Sequence, residues 1–329
     1  MRALQCEGDG RVTIADLPDP KPRDGEALIR IEASGLCGSE RDSLRVGSSW
    51  PEGLVGNGGH EACGIVVEPG ESRFQPGDRV GLSAIVGCNA CVRCAAGQEL
   101  FCRSGGPQGS SKSGGWHAEL VTVDARALRE LPAHVDALTG VLVSGDTLGV
   151  PARGLRRVPT SVGDRVLVIG LGPVGLAHAA VRTFAGCDVF GVEPSAYRRK
   201  LAASLGIDTV SSIDDVTDFR ARLVIECSGQ PSCIEQALDL ADGGGIVLQS
   251  GECHTEVRIK PSDTFIRREI TYTGSWYYTS EDYPAMLDLA AHGPRLDALC
   301  THDVTADDAQ AAIDDFLAGA SGKVIVRWS

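Results

Sequence analysis

RVLVIGLGPVG, residues 165–175, joins a short apolar run to a glycine-rich turn. Arg165–Ile169 has the length and the Val/Ile content of a buried strand, and the apolar pattern over 176–184 is that of a helix. Between them Gly170, Gly172 and Gly175 form a G-x-G-x-x-G turn. In a chain with 41 glycines the pattern alone is weak. Set between a strand and a helix it has physical content. The first glycine turns the chain tightly, the second admits a pyrophosphate, and the third lets helix and sheet pack. Pro173 and Val174 open the helix, whose N-terminal N–H groups favour an anion. Glu193 stands 18 positions past Gly175, at the end of the next apolar run, where a carboxylate meets the ribose hydroxyls of adenosine. The bland alternative is a glycine turn in an unrelated parallel sheet.

Outward toward the C-terminus, apolar runs at 188–192, 222–226, 245–249 and 270–273 alternate with helical stretches, the first at 195–205. Such alternation specifies a doubly wound parallel sheet covered on both faces, a Rossmann-type α/β domain. Ser228 and Ser250 follow later strands, at the sheet end where ligands bind, and are candidate neighbours of a nicotinamide. Arg198 and Arg199, a turn or so into the helix after Glu193, are candidates to stack near adenine or to pair with a phosphate. The implied cofactor is NAD, with NADP disfavoured, because a 2′-phosphate beside the Glu193 carboxylate is repelled.

Toward the N-terminus the grammar changes. Residues 1 to about 140 carry β-branched runs broken by Gly, Pro and Asp, the pattern of an irregular, mostly antiparallel β domain. Residues 139–155 look helical. The tail ends in the strand KVIVR, 323–327, expected to return to the first domain. The expected organisation is 1–143 with 279–329 as one discontinuous domain and 144–278 as the dinucleotide domain.

A length of 329 residues suits two domains. A formal charge of −13 argues against a nucleic-acid partner, which needs a basic face. The sequence has no 18-residue apolar run and no signal-peptide pattern, so neither membrane insertion nor export is expected. Twelve cysteines in such a chain point to thiols and metal, and a cytoplasmic location.

Cys88, Cys91, Cys94 and Cys102 have the spacing C-x2-C-x2-C-x7-C. Short loops of this kind gather four thiolates around a tetrahedral Zn²⁺ with no open position, a structural site. An iron–sulfur cluster also uses four cysteines, and the spacing does not exclude it. Cys37, His60 and Glu61 are a mixed thiolate, imidazole and carboxylate set, suited to a zinc that keeps a position for water or substrate. Each has a dull reading too: a buried small residue, a core histidine, a surface charge.

Cys37-Gly38-Ser39, the G-H-E-x-x-G-x-V run from Gly59 to Val66, Gly77-Asp78-Arg79-Val80, the four-cysteine lobe, the glycine turn and Gly322-Lys323 follow one another in this order. Together they resemble the zinc-containing medium-chain dehydrogenases, and the likeness runs through essentially the whole chain. The resemblance implies a GroES-like β catalytic domain joined to the Rossmann domain, two zinc ions per chain, and a homodimer or homotetramer. It implies a catalytic zinc held by Cys37, His60 and Asp146, with Glu61 able to bind or approach the metal, as in the polyol and threonine branch. It also makes Ser39 the group that carries the alcohol proton outward. Glu40 stands where the family usually has Asp, and no histidine follows to continue the relay, so Asp42 or water takes that place. The implied reaction is hydride transfer between NAD(H) and a secondary alcohol or ketone, with a polyol, sugar or cyclitol as substrate. Trp50, Trp116, Trp276, Tyr277 and Tyr278 are candidates to line the substrate cleft. Competing readings are a zinc-free quinone or enone reductase of the same fold, and a non-catalytic zinc and dinucleotide protein serving as redox sensor or structural partner.

Overall fold

A computed structural model describes residues 1–46, 58–107, 115–216 and 218–328. They form two compact units, Met1–Gly149 with Thr279–Pro284 and Cys300–Ser329, and Val150–Tyr278 with Ala285–Leu299.

The second unit is built on a six-stranded, all-parallel sheet. Its order is Asp208–Val210, Asp188–Val192, Arg165–Ile169, Ala221–Glu226, Ala241–Gln249, Thr271–Gly274. The central strands are buried on both faces: Val166, Leu167, Val168 and Ile169, and Leu223, Val224 and Ile225, have essentially no exposed surface. That is why they read as continuous apolar runs and not as alternating ones. Helix Pro173–Phe184 starts with Gly172 as N-cap and proline in its first turn, where the missing N–H costs nothing. Gly170 has φ +85°, a conformation that side chains rarely adopt. A Cβ on Gly175 would stand 1.9 Å from the Gly170 carbonyl oxygen, so only glycine lets this helix sit so close to the strand.

Residues 285–299 belong with this unit, whereas the expected boundary at 279 put them with the first. The reason is apolar burial. Met286, Leu296 and Leu299 are buried, and the turn Leu296–Leu299 packs on helix Pro173–Phe184.

The first unit is a seven-stranded, mainly antiparallel sheet centred on the long strand Glu26–Gly35. Ala62–Glu68 and Leu120–Asp124 pair with it, and the C-terminal strand Lys323–Arg327 returns to lie antiparallel beside residues 33–35. The helical stretch at 139–155 divides into Ala137–Leu142 and Asp146–Arg157. The break matters. A Cβ on Gly145 would stand 2.3 Å from Glu61 Cγ, so the glycine lets the start of the second helix approach Glu61. None of the described helices is long and apolar enough to cross a membrane.

Helix Pro173–Phe184 buries two basic residues. Arg182 donates to the carbonyls of Gly154 and Val158 and to Thr160 Oγ1, capping the end of helix Asp146–Arg157. His178 is fully buried, with Nε2 3.3 Å from Ser250 Oγ. Burial, helped by the Arg182 charge, lowers its pKa from 6.5 to about 3. The folded protein therefore keeps His178 neutral, while the unfolded chain binds a proton at the ordinary value. This stability is complete above about pH 6.5 and is lost as pH falls toward 3. Between pH 7 and pH 5 the loss should be about 2 kcal/mol. A His178→Gln variant should show a flatter fall in thermal midpoint over that range; an identical slope would remove His178 as its cause.

Candidate functional site

Strand Glu26–Gly35 ends in the turn that carries Cys37, whose backbone caps the short 3₁₀ segment Gly38–Glu40. His60 and Glu61 immediately precede strand Ala62–Glu68, and Asp146 opens helix Asp146–Arg157. These elements bring one ligand atom each from Cys37, His60, Glu61 and Asp146 within 4.8 Å of one another. Asp146 Oδ2 is 3.4 Å from Cys37 Sγ and 3.0 Å from His60 Nε2. Bonds of about 2.0–2.3 Å to one tetrahedral zinc put neighbouring ligand atoms about 3.3–3.8 Å apart, so the donor set and its spacing fit that ion. Burial alone would lower the His60 pKa, but the facing Cys37 and Asp146 groups outweigh it and raise it well above 6.5. The cluster thus attracts positive charge.

Glu61 is placed differently from its three companions. Its side chain is fully buried; Oε1 accepts from the Asp146 N–H at 2.9 Å, and Oε2 contacts Lys323 Nζ. Lys323 also donates to the Leu36 carbonyl at 2.9 Å, next to Cys37. Glu40 plays a comparable part. Its Oε2 accepts from the Cys37 N–H at 2.8 Å and its Oε1 from the Gly59 N–H at 2.7 Å, so one carboxylate ties together the two ligand-bearing turns. Burial would raise its pKa, but His117, with Nε2 3.1 Å from Oε1, reverses this and holds it at about 2. His117 is braced in turn by Ser34 Oγ at 2.8 Å, which accepts from Trp328 Nε1 at 2.9 Å. Neither Lys323 nor His117 was assigned a partner from sequence. The visible signal for Lys323 is a charge directly before the apolar run Val324, Ile325, Val326; His117 offers none.

Ser39 is exposed, and with His60, Glu40, His117, Ser43 and Cys6 it lines a cavity of about 200 Å³. Asp42 is exposed in the first turn of helix Arg41–Val46. Trp116 and Tyr278 are buried packing residues, Tyr277 stacks on Tyr278 at 4.5 Å, and Trp276 is half exposed. Trp50 lies outside the described residues.

The four lobe cysteines also converge. Cys91 Sγ is 3.6 Å from Cys94 Sγ and 3.8 Å from Cys102 Sγ, and Cys88 Sγ is 4.0 Å from Cys94 Sγ. Zn–S bonds of about 2.3 Å give tetrahedral edges of about 3.8 Å. None of the twelve cysteines is paired in a disulfide. The N–H of Cys88, donating to Cys102 Sγ at 3.3 Å, is the leading cause that lowers the Cys102 pKa to about 6 and so favours the ligating thiolate.

In the second unit the glycine turn leaves a cradle: nothing stands within 4 Å of where a Cβ on Gly172 would be. Open space above the second glycine, at a helix N-terminus, is what a pyrophosphate requires. Glu193 is 4% exposed, its Oε2 accepting from the Leu171 N–H at 2.7 Å and its Oε1 from the Ser195 N–H at 2.9 Å. Arg198 is close enough to feel the Glu193 charge. Arg199 instead donates to the carbonyls of Glu193 and Pro194. Ser228 and Ser250 follow neighbouring strand ends, Ser228 lying directly against Gly170.

Residues 23–133 match a family model described as an alcohol dehydrogenase GroES-like domain, and residues 173–292 one described as a zinc-binding dehydrogenase. The chain belongs to the zinc-dependent medium-chain dehydrogenases. Its relatives include an L-galactonate-5-dehydrogenase of Escherichia coli, 28% identical over 92% of this chain and 91% of the relative. A sorbitol dehydrogenase of Halalkalibacterium halodurans is 27% identical over 97% and 96%. Among solved structures, 2R,3R-butanediol dehydrogenase from Bacillus subtilis aligns with a TM-score of 0.85 and 26% identity, covering 99% of both chains. A structure from Sinorhizobium meliloti 1021 bound to NADP aligns equally well, with a TM-score of 0.85, 26% identity, and 99% and 98% covered. The zinc-free reductase and the non-catalytic readings are not favoured by these findings.

Metal-replete protein should carry two zinc ions per chain by elemental analysis. Cys94→Ser should lose one of them together with thermal stability, and His60→Ala should lose the other with little change in thermal midpoint. One zinc per chain in the wild type would overturn the two-site assignment.

Proposed function

We propose that this dehydrogenase oxidises a secondary hydroxyl of a polyol, sugar or cyclitol with NAD⁺, and reduces the corresponding ketone in reverse. The observation that carries the reading is the Cys37, His60 and Asp146 cluster, with an exposed Ser39 two residues beyond the cysteine. Cys37, His60 and Asp146 hold the catalytic zinc. Glu61, engaged by Lys323 and by the Asp146 N–H, supports the third ligand from behind. Cys88, Cys91, Cys94 and Cys102 hold the structural zinc. The first unit serves as the catalytic domain and the second as the dinucleotide domain.

When bound, the metal supplies a Lewis acid to the alcohol oxygen and the dinucleotide supplies the hydride acceptor. The protein's own groups position and move the proton. Ser39 Oγ takes up the hydroxyl proton and releases it outward, to water or to Asp42. Glu40 keeps the Cys37 and His60 turns at a fixed separation while this happens. Gly172 and the start of helix Pro173–Phe184 receive the pyrophosphate, Glu193 the adenosine ribose, and Ser228 and Ser250 stand beside the nicotinamide. Arg198 lies against the adenosine side of Glu193. Twelve cysteines, five of them assigned to zinc, suit a cytoplasmic enzyme; assembly as a homodimer or homotetramer rests on the family likeness alone.

The substrate class rests on the relatives, whose names point to sugar acids, sorbitol and butanediol. A panel of polyols, sugars, cyclitols and simple primary alcohols with NAD⁺ tests it. NADH formation on the polyhydroxylated members is the expected result; turnover confined to simple primary alcohols would refute the substrate class. Within the active panel, Ser39→Ala should lower kcat by about 10²–10⁴-fold with cofactor affinity unchanged. Unaltered turnover where chemistry limits the rate would reduce Ser39 to a turn residue.

Cofactor choice has its own test. The Glu193 carboxylate is fixed by two backbone N–H groups, so a 2′-phosphate would meet an anion that cannot swing away. Wild type should favour NAD⁺ over NADP⁺ in kcat/KM by about tenfold or more, and Glu193→Ser should narrow the ratio. A preference for NADP⁺, or a ratio untouched by the substitution, would show that Glu193 does not set it.

A further inference from the structure

Glu226 is a fully buried carboxylate that the chemistry above does not use. It is the last residue of strand Ala221–Glu226, paired in register with Ile169, the residue before Gly170. These two strands flank the point where the sheet changes direction. From Arg165–Ile169 the chain moves outward through Asp188–Val192 to Asp208–Val210. From Ala221–Glu226 it moves the other way, through Ala241–Gln249 to Thr271–Gly274. Open α/β sheets bind ligands outside the carboxyl ends of the strands at such a switch point.

The side chain does not reach into that space. It is consumed by the loops around it. Oε1 accepts from the Ser228 N–H at 2.7 Å, from the Gly229 N–H at 3.1 Å and from Ser228 Oγ. Oε2 accepts from Gln249 Nε2 at 2.7 Å and from the Gly229 N–H at 3.1 Å. The Glu226 carbonyl accepts from the Ser250 and Gly251 N–H groups at 2.8 and 2.9 Å, and Gln249 Nε2 also donates to the Gly251 carbonyl at 2.6 Å. One residue therefore ties together the loops at 227–229 and 249–251. Both lie tight against their neighbours: a Cβ on Gly170 would stand 2.8 Å from the Ser228 nitrogen, and one on Gly251 2.5 Å from the Gly229 nitrogen.

We propose that Glu226 is a positioning residue of the dinucleotide site, fixing the loops at 227–229 and 249–251 that flank the nicotinamide half of the cofactor. The inference rests on the dinucleotide reading of the glycine turn. An ionised carboxylate is acceptor-only and can receive several N–H groups at once. Glutamine at the same place would turn an NH₂ toward donors and break the set. The adenosine half is held on the other side of the switch point, around Glu193, and does not depend on these loops.

The test is a direct binding titration of NADH and of AMP to zinc-replete wild type, Glu226→Gln and Gln249→Met, with zinc content measured in parallel. In Glu226→Gln the Kd for NADH should rise about 10- to 100-fold, while that for AMP stays within about twofold and both zinc ions remain. Gln249→Met removes one donor from the same clamp and should weaken NADH less, again sparing AMP; it also carries the test if Glu226→Gln does not fold. Unchanged NADH affinity in the folded variants overturns the proposal. So does equal weakening of NADH and AMP, which would assign Glu226 to the general stability of the sheet. A wild type that binds neither NADH nor NADPH would defeat the dinucleotide reading itself, and the proposal with it.

Discussion

The fold of the first unit turns on a carboxylate that has no access to water. Burying an ionised Glu costs several kcal/mol unless it is paired and hydrogen-bonded. Glu61 meets that condition only because two distant segments come to it. Strand Lys323–Arg327 brings an ammonium, the opening of helix Asp146–Arg157 brings an N–H, and the Gly145 break lets that N–H arrive. Once those contacts are made, Cys37, His60 and Asp146 have little freedom left. The close approach of these three side chains is coupled to the neutralising of one buried charge.

The same device recurs. Glu40, Glu61, Glu193 and Glu226 are all buried, and each accepts at least one backbone N–H from a turn or helix start beside a candidate site. Backbone donors suit this work because they hold a loop in one conformation without presenting a side chain of their own. In a chain with a formal charge of −13, these internal acids are fixtures of the architecture and contribute nothing to an acidic exterior.

Local pattern made much of this legible. The glycine turn could be assigned glycine by glycine because each has a separate steric duty, and the structure gives Gly170, Gly172 and Gly175 the tight turn, the open cradle and the close approach. Four cysteines within 15 residues left few arrangements open. Long-range partners were not legible. Lys323 lies 262 positions from Glu61, and His117 lies 77 from Glu40; no periodicity links such pairs. Glu226 hid for another reason: a strand-end acid looks like a surface charge until the loops around it are placed. Nor do apolar residues on a short helix say which core they join, as the grouping of Ala285–Leu299 with the second unit illustrates.

The return of strand Lys323–Arg327 also sets an order of events during synthesis. A nascent chain emerging from the ribosome exposes Glu61 long before Lys323 exists, and domains generally fold as units once their parts are available. The four-cysteine lobe, complete by Cys102, can close on its metal early. The second unit, complete by Leu299, can form its sheet while the tail is still being made. The side chains around Cys37 lack one support until then, because the buried Glu61 has no counter-ion before Lys323 is made. Glu61 thus gains its counter-ion only from a residue translated 262 positions after it.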